Sequence, residues 1–269
     1  MIPSLLDYDA LHEYVTQQVI EPYYSKRIET LRRLSLINNR VRQKALLNRK
    51  NPYLFRAKNI QTSGEFVQYA LDGFLSSSEE TLFGNLLEGL AIQICEQVFG
   101  GHKAPAREMK SVDLIFTRDE TRFIVGIKSG PNWGNQDQKD RMAGNFKTAR
   151  AILRAKGETL PIVAVNGCMY GVDQVPWKPN SHDPELSYYK YCGQLFWEFI
   201  SGDEMLYLKL IRPLGEEART RSDAFNKLYH AKINEMTTEF SNNFLGEDNQ
   251  IDWNKLIHFV SSSPKRMAD

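Results

Sequence analysis

Apolar residues recur at intervals of three and four along most of the chain and alternate with polar ones over a short central stretch. Helices and a small number of strands are therefore expected in separate regions. Ile28, Leu31, Leu34, Ile37, Val41 and Ala45 mark one face of a helix that Asn51-Pro52 should end. A second helix is expected over residues 64–75. A third is expected to begin at Ser76, Ser77 and Ser78 ahead of Glu79 and Glu80, and to bury Leu82, Leu86, Leu90, Ile94 and Val98 before Gly100-Gly101 stops it. The period then changes. Ser111 to Thr117 and Arg122 to Lys128 alternate around the polar turn Arg118-Asp119-Glu120-Thr121, which reads as a hairpin. Ser129 to Asn135 carries two glycines and a proline and reads as a loop, followed by a helix from Gln136 to Lys156 with Met142, Phe146, Ala149 and Leu153 on one side. Leu160 to Val165 reads as a short central strand, Pro176 to Pro184 as a loop, Gln194 to Ser201 as a helix and Met205 to Ile211 as a strand. From Gly215 the pattern is mostly helical, ending with Trp253 to Val260.

This order of elements predicts an α/β fold, a small mixed sheet flanked by helices, with helical additions at both ends. In linear terms it gives a helical, basic region over 1–75, a core over 76–214 and a helical region over 215–269. At 269 residues with 42% hydrophobic and 25% charged content, the chain can bury a substantial core, and neither disorder nor a fibrous repeat is indicated. The longest apolar stretches are far too short to span a bilayer, and residues 1–9 lack the basic-then-apolar order of a secretion signal. The three cysteines form no disulfide framework and no metal-ligand spacing, so a cytoplasmic setting is expected. The net charge of +1 gives no reason to expect nucleic acid, but its distribution does. Between Lys26 and Lys58 the basic residues face a single acid, Glu29. Such a run either neutralises backbone phosphates or is a solvated helix face.

Within the hairpin, alternation puts Asp113 and Ile115 on one side of the first strand and Ile124, Gly126 and Lys128 on one side of the second. Pairing across the turn brings Asp113 and Lys128 to the same edge. Charged residues on two otherwise apolar strands are costly without a partner or a purpose, and the two readings are a strand-end ion pair and a site.

Val112-Asp113, a short hairpin and then Val125-Gly126-Ile127-Lys128 resembles the PD-(D/E)XK nuclease signature. The stretch Lys128-Ser129-Gly130-Pro131-Asn132-Trp133-Gly134-Asn135 is similar to type II restriction endonucleases, including cutters of GGNCC-like sites, over residues 79–167. The resemblance implies a restriction-endonuclease-like core, magnesium as cofactor, double-stranded DNA as partner, and a homodimer working on a palindrome. It implies that Asp113 and the backbone carbonyl of Ile127 hold the metal and that Lys128 positions the attacking water. Hard oxygen ligands suit magnesium, which neutralises charge developing on a scissile phosphate.

The family expects an acid where this chain has Gly126. Either a glutamate has changed to glycine, silencing the enzyme, or the acid has migrated to the following helix, where Asp137 and Asp140 lie three apart. Glu88, on the helix before the hairpin, is a third candidate, either matching a family glutamate that holds a metal-bound water or being a partly exposed helix glutamate. Asn132, Trp133, Asn135, Gln136, Lys139 and Arg141 after the second strand, with Lys103, Arg107 and Lys110 before the first, are the expected DNA contacts; turn-making and solvation are their alternative roles. The rival functions are a repair nuclease on the same core and a DNA-binding protein that no longer cuts.

Overall fold

The computed structural model describes residues 5–37, 45–216 and 218–262. Contacts divide the chain discontinuously: residues up to 21 join 83–217 in one compact unit, and 22–82 join 218 onward in the other. Two of the unit borders, after 82 and after 217, lie close to 75 and 214, while the helical regions on either side share one core and residues before 22 go with the sheet.

In the first unit, α1 (Tyr8–Tyr14) is capped by Asp7, whose side chain accepts from the backbone N–H groups of Asp9 and Ala10. The unit is organised around a six-stranded mixed sheet. Its strands are β1 (His102–Lys103), β2 (Leu114–Arg118), β3 (Thr121–Lys128), β4 (Ile162–Cys168), β5 (Trp177–Lys178) and β6 (Tyr188–Cys192), in the order β1-β2-β3-β4-β6-β5. The β2–β3 hairpin is antiparallel, whereas β3, β4 and β6 run parallel, with β4 central as its apolar run predicts. The helix α5 (Gln136–Ala155) packs Met142, Phe146 and Ala149 against Val112, Ile115, Ile124 and Ala164. An aromatic cluster fills another part of this unit: Phe116 lies 5.6 Å from Phe99 and 5.2 Å from both Phe123 and Phe199, the last on α6 (Gln194–Ser201).

The hairpin turn is tighter than its sequence suggests. Asp119 and Glu120 alone connect the strands, both in the left-handed region at φ 48° and 53°, which is the two-residue geometry that matches strand twist. Glutamate is a poor occupant of that region, so Glu120→Gly is expected to raise stability by about 0.5–1 kcal/mol. Thermal denaturation checks this; a lower melting temperature would contradict the turn assignment.

Three sequence expectations change in this unit. Met205 to Ile211 is not a strand but the short helices α7 (Leu206–Lys209) and α8 (Ile211–Gly215). Leu206 and Leu210, four apart, are buried while Met205, Leu208 and Ile211 are exposed, so the helical period wins over the apolar run. The strand β6 was hidden because Tyr188-Tyr189-Lys190-Tyr191 shows no alternation. The expected loop over 176–184 contains the two-residue edge strand β5.

In the second unit, α2 (Glu21–Arg33) ends at Arg33, well before the stop expected at Asn51-Pro52. The Leu46 and Leu47 N–H groups donate to the carbonyls of Ser35 and Leu36. The part of the expectation resting on Arg40, Val41, Arg42 and Lys44 lies outside the described residues. Asn51-Pro52 starts rather than stops a helix: the Asn51 side chain accepts from Tyr53 N–H and Pro52 occupies the first position of α3 (Pro52–Ala57). The second and third expected helices are one, α4 (Ser63–Phe99), whose residues up to Leu82 belong to this unit and whose remainder belongs to the first. Its start is Thr62 and Glu65, where Glu65 accepts from the Gln61 and Thr62 N–H groups and Thr62 Oγ1 accepts from Glu65 N–H. Serines 76–78 interrupt nothing, since serine costs a helix interior only a few tenths of a kcal/mol, roughly, and Leu71 and Leu75 continue the buried stripe up to them. α9 (Ala218–Phe244) and α10 (Trp253–Ser261) complete a core in which Phe66 stacks 4.5 Å from Phe240.

Candidate active site

The hairpin register carries Asp113 to the side of β3. Leu114 pairs with Val125, and one residue earlier the Asp113 N–H donates to Val125 O at 2.8 Å. Its carboxylate Oδ2 then accepts from the Ile127 N–H at 2.7 Å, a charge-assisted bond that fixes the side chain. Lys128 is the last residue of β3. Its ammonium lies 3.8 Å from Asp113 Oδ2, donates to the Ile127 carbonyl at 2.8 Å and sits 5.6 Å from the centre of the Trp133 ring. The sequence pairing of Asp113 with Lys128 is thus realised in space.

Glu88 reaches the same place from α4. Burial pushes its carboxyl above the usual range, the Asp113 charge pushes further in that direction, and Lys103 and Lys128 oppose both. Lys103 Nζ is 3.5 Å from Glu88 Oε1. Side-chain exposures of 24% for Glu88 and 23% for Asp113 show that neither carboxylate is fully hydrated. Two part-buried carboxylates whose charges oppose each other, flanked by lysines, would gain from a nearby divalent cation. Magnesium commonly takes one or two protein carboxylates and keeps waters for the rest, so the donor set fits it. Among the described residues no group of three or more His, Cys, Asp or Glu side chains is placed to hold a metal.

Gly126 is not an empty side-chain position. A Cβ there would lie 2.5 Å from the Ser111 carbonyl oxygen and 3.3 Å from the Phe146 ring. Ser111 is held in the left-handed region at φ 58°, and its hydroxyl accepts from the Asn145 amide of α5 at 2.7 Å. The backbone of the turn before Asp113 therefore occupies the space that a glutamate at position 126 would need. A glutamate at that position would therefore require the Ser111 carbonyl to shift. Asn145 and Ser111 were not found from the sequence. The available signal was a polar Asn145 within the Met142, Phe146 and Ala149 stripe.

Asp140, the migrated-acid candidate, lies in the first turns of α5. With Gln136, Lys139, Trp133 and Tyr188 it lines a polar groove of about 470 Å³, and its carboxylate accepts from Gln136 Nε2 at 2.7 Å. The other side of that groove carries Asp173, Lys178 and Lys190, where Asp173 pairs with Lys178 at 2.8 Å and Lys190 at 3.2 Å. Asn135 caps α5: its side chain accepts from Gln138 N–H while the Gln138 side chain accepts from Asn135 N–H. The Asn135 side-chain amide oxygen is thereby committed to the helix start. Asn132, Arg107, Lys110 and Arg141 are exposed.

A six-stranded mixed sheet flanked by helices, with an aspartate and a lysine converging at one edge of a hairpin, defines a restriction-endonuclease-like core. Residues 9–222 match the family model of type II restriction endonuclease EcoO109I, and the chain belongs to that family. No curated protein matches the sequence. Among the described residues no helix is long and apolar enough to cross a membrane.

Proposed function

We propose that this chain hydrolyses double-stranded DNA at a specific sequence in a magnesium-dependent reaction, and does so as a homodimer. The observation that carries the reading is the convergence of Glu88, Asp113 and Lys128 from three separate elements in a chain of this family. A carboxylate pair and an ammonium are the groups needed to hold a divalent ion and to orient a water beside a phosphodiester. Two-fold pairing of chains would match a palindromic duplex.

Asp113 and Glu88 would hold the magnesium, with the second lone pair of the Ile127 carbonyl as a further donor. When bound, the ion supplies charge neutralisation at the scissile phosphate and a more acidic water. The Ile127 N–H orients the Asp113 carboxylate, and the Ile127 carbonyl holds the Lys128 ammonium where it can orient the nucleophilic water or a phosphate oxygen. Trp133 beneath Lys128 limits the directions that ammonium can take. The groove holding Gln136, Lys139 and Asp140 supplies donors and acceptors of the type that read base edges.

Incubation with plasmid DNA and magnesium is expected to give discrete fragments with identical end sequences, and chelation by EDTA to abolish them until magnesium is restored. Scattered ends would favour a repair nuclease. Intact plasmid even with manganese, alongside steeply salt-dependent binding, would favour the non-cutting DNA-binding reading, whose support is the missing acid at Gly126. For the carboxylate pair, Glu88→Gln is expected to weaken magnesium binding by about 10–100-fold, as loss of a charged group at a metal site does, with little change in melting temperature. Titration calorimetry measures it; unchanged affinity removes Glu88 from the site.

A further inference from the structure

The helical unit carries a second concentration of chemistry, unrelated to the carboxylate pair. α2, the segment over residues 47–50 and the middle of α4 enclose a pocket of about 700 Å³. Lys26, Arg33, Arg49 and Lys50 line it, and its one acid, Glu29, is already paired with Arg33 at 2.6 Å. Ser77, Ser78 and Thr81 of α4 also line it, with the Thr81 hydroxyl donating to the Ser77 carbonyl at 3.1 Å.

Lys50 is the informative member. Its ammonium lies against α4 at Gly73, where a Cβ would come within 3.2 Å of Nζ, so the lysine occupies a notch that a larger residue would crowd. Burial holds its pKa below the ordinary lysine value. Among the described residues it has no ion pair, whereas the neighbouring acid Glu79 is taken by Arg27 at 2.7 Å. A partly desolvated cation without a counter-charge is costly, and an anion entering the pocket would offset that cost. The Arg49 guanidinium, 5.3 Å from the centre of the Phe74 ring, is held at the same mouth. Fixed guanidinium and ammonium donors beside hydroxyls match the oxygens of a phosphate group.

We propose that this pocket is a phosphate-binding site, taking either a backbone phosphodiester of duplex DNA or the phosphate of a free polyphosphate or nucleotide. The first source rests on the DNA-cutting reading above; the second does not.

The test compares the full chain with Arg49→Gln/Lys50→Met and with Ser77→Asp, which keeps every cation but places a negative charge on the pocket wall. Melting temperatures without ligand establish that each variant is folded, and Ser77→Asp decides the matter if the double variant is not. Binding of a duplex lacking any cleavage site is followed by fluorescence anisotropy in EDTA across a salt series, and thermal shift is followed with tripolyphosphate. If the source is DNA, the double variant loses about tenfold in affinity on every sequence, and the slope of log K against log salt shrinks by about 1. If the source is a free phosphate, tripolyphosphate stabilises the parent chain and neither variant, while the DNA slope stays unchanged. Parent and folded variants behaving alike in both measurements overturns the proposal. A parent chain that binds duplex but never cuts overturns the nuclease reading and leaves the phosphate site standing, so the two failures are distinguishable.

Discussion

Asp113→Asn is expected to lower DNA cleavage at least about a thousandfold while leaving the fold intact, on the scale seen when a group that stabilises transition-state charge is removed. The substitution separates two jobs of one side chain. Asp113 accepts from the Ile127 N–H at 2.7 Å, and an asparagine oxygen can accept that bond, so the hairpin edge keeps its structure. What is lost is a negative charge 3.8 Å from Lys128 and next to Glu88. Without it the carboxylate pair is reduced to one and the attraction for a divalent ion falls with it. Plasmid cleavage rates and magnesium calorimetry should fall together while the melting temperature holds. An Asp113→Asn chain that still cuts at near-parental rate would mean the chemistry is elsewhere.

Gly126→Glu is expected to destabilise the chain by at least about 3 kcal/mol and to yield no gain in cleavage. The Cβ alone would sit 2.5 Å from the Ser111 carbonyl oxygen, a backbone atom held by the Asn145–Ser111 hydrogen bond and unable to swing aside like a side chain. Overpacking of this kind costs about 1–3 kcal/mol, and a carboxylate pressed towards the Phe146 ring without a partner adds more. Gly126→Ala should show the first part alone. At roughly 2–4 °C per kcal/mol for a unit of this size, the glutamate variant should melt about 6–12 °C lower. A glutamate variant that melts normally and cuts DNA would show that the glycine stands in for a lost acid and that the close approach is easily relieved.

How far the sequence could be read depended on whether a feature is local. The hairpin, α5, the central strand β4 and α6 were legible because period and punctuation sit within a few residues of one another. Asp113 and Lys128 were brought to one edge the same way, by counting alternation outward from the polar turn. Glu88 was named as a candidate, but its approach to Asp113 depends on how α4 lies against the sheet, which no local pattern encodes. The position of Ser111 against Gly126 was also hidden, because it depends on a left-handed serine and a hydrogen bond across 34 residues. The same cause explains the discontinuous units. The apolar faces of α4, α9 and α10 meet across more than a hundred residues of intervening chain, and linear boundaries cannot follow such contacts.

The loop between Lys128 and α5 is fastened at several points. The Lys128 and Ser129 carbonyls accept from the Met169 and Tyr170 N–H groups, Lys190 donates to the Pro131 carbonyl at 3.0 Å, and Asn135 is locked into the helix start. Trp133, midway between these fastenings, touches the Lys128 ammonium on one side and lines the polar groove on the other. A molecule settling in the groove would meet the same indole that lies against the Lys128 ammonium, so occupancy of the one is expected to register at the other.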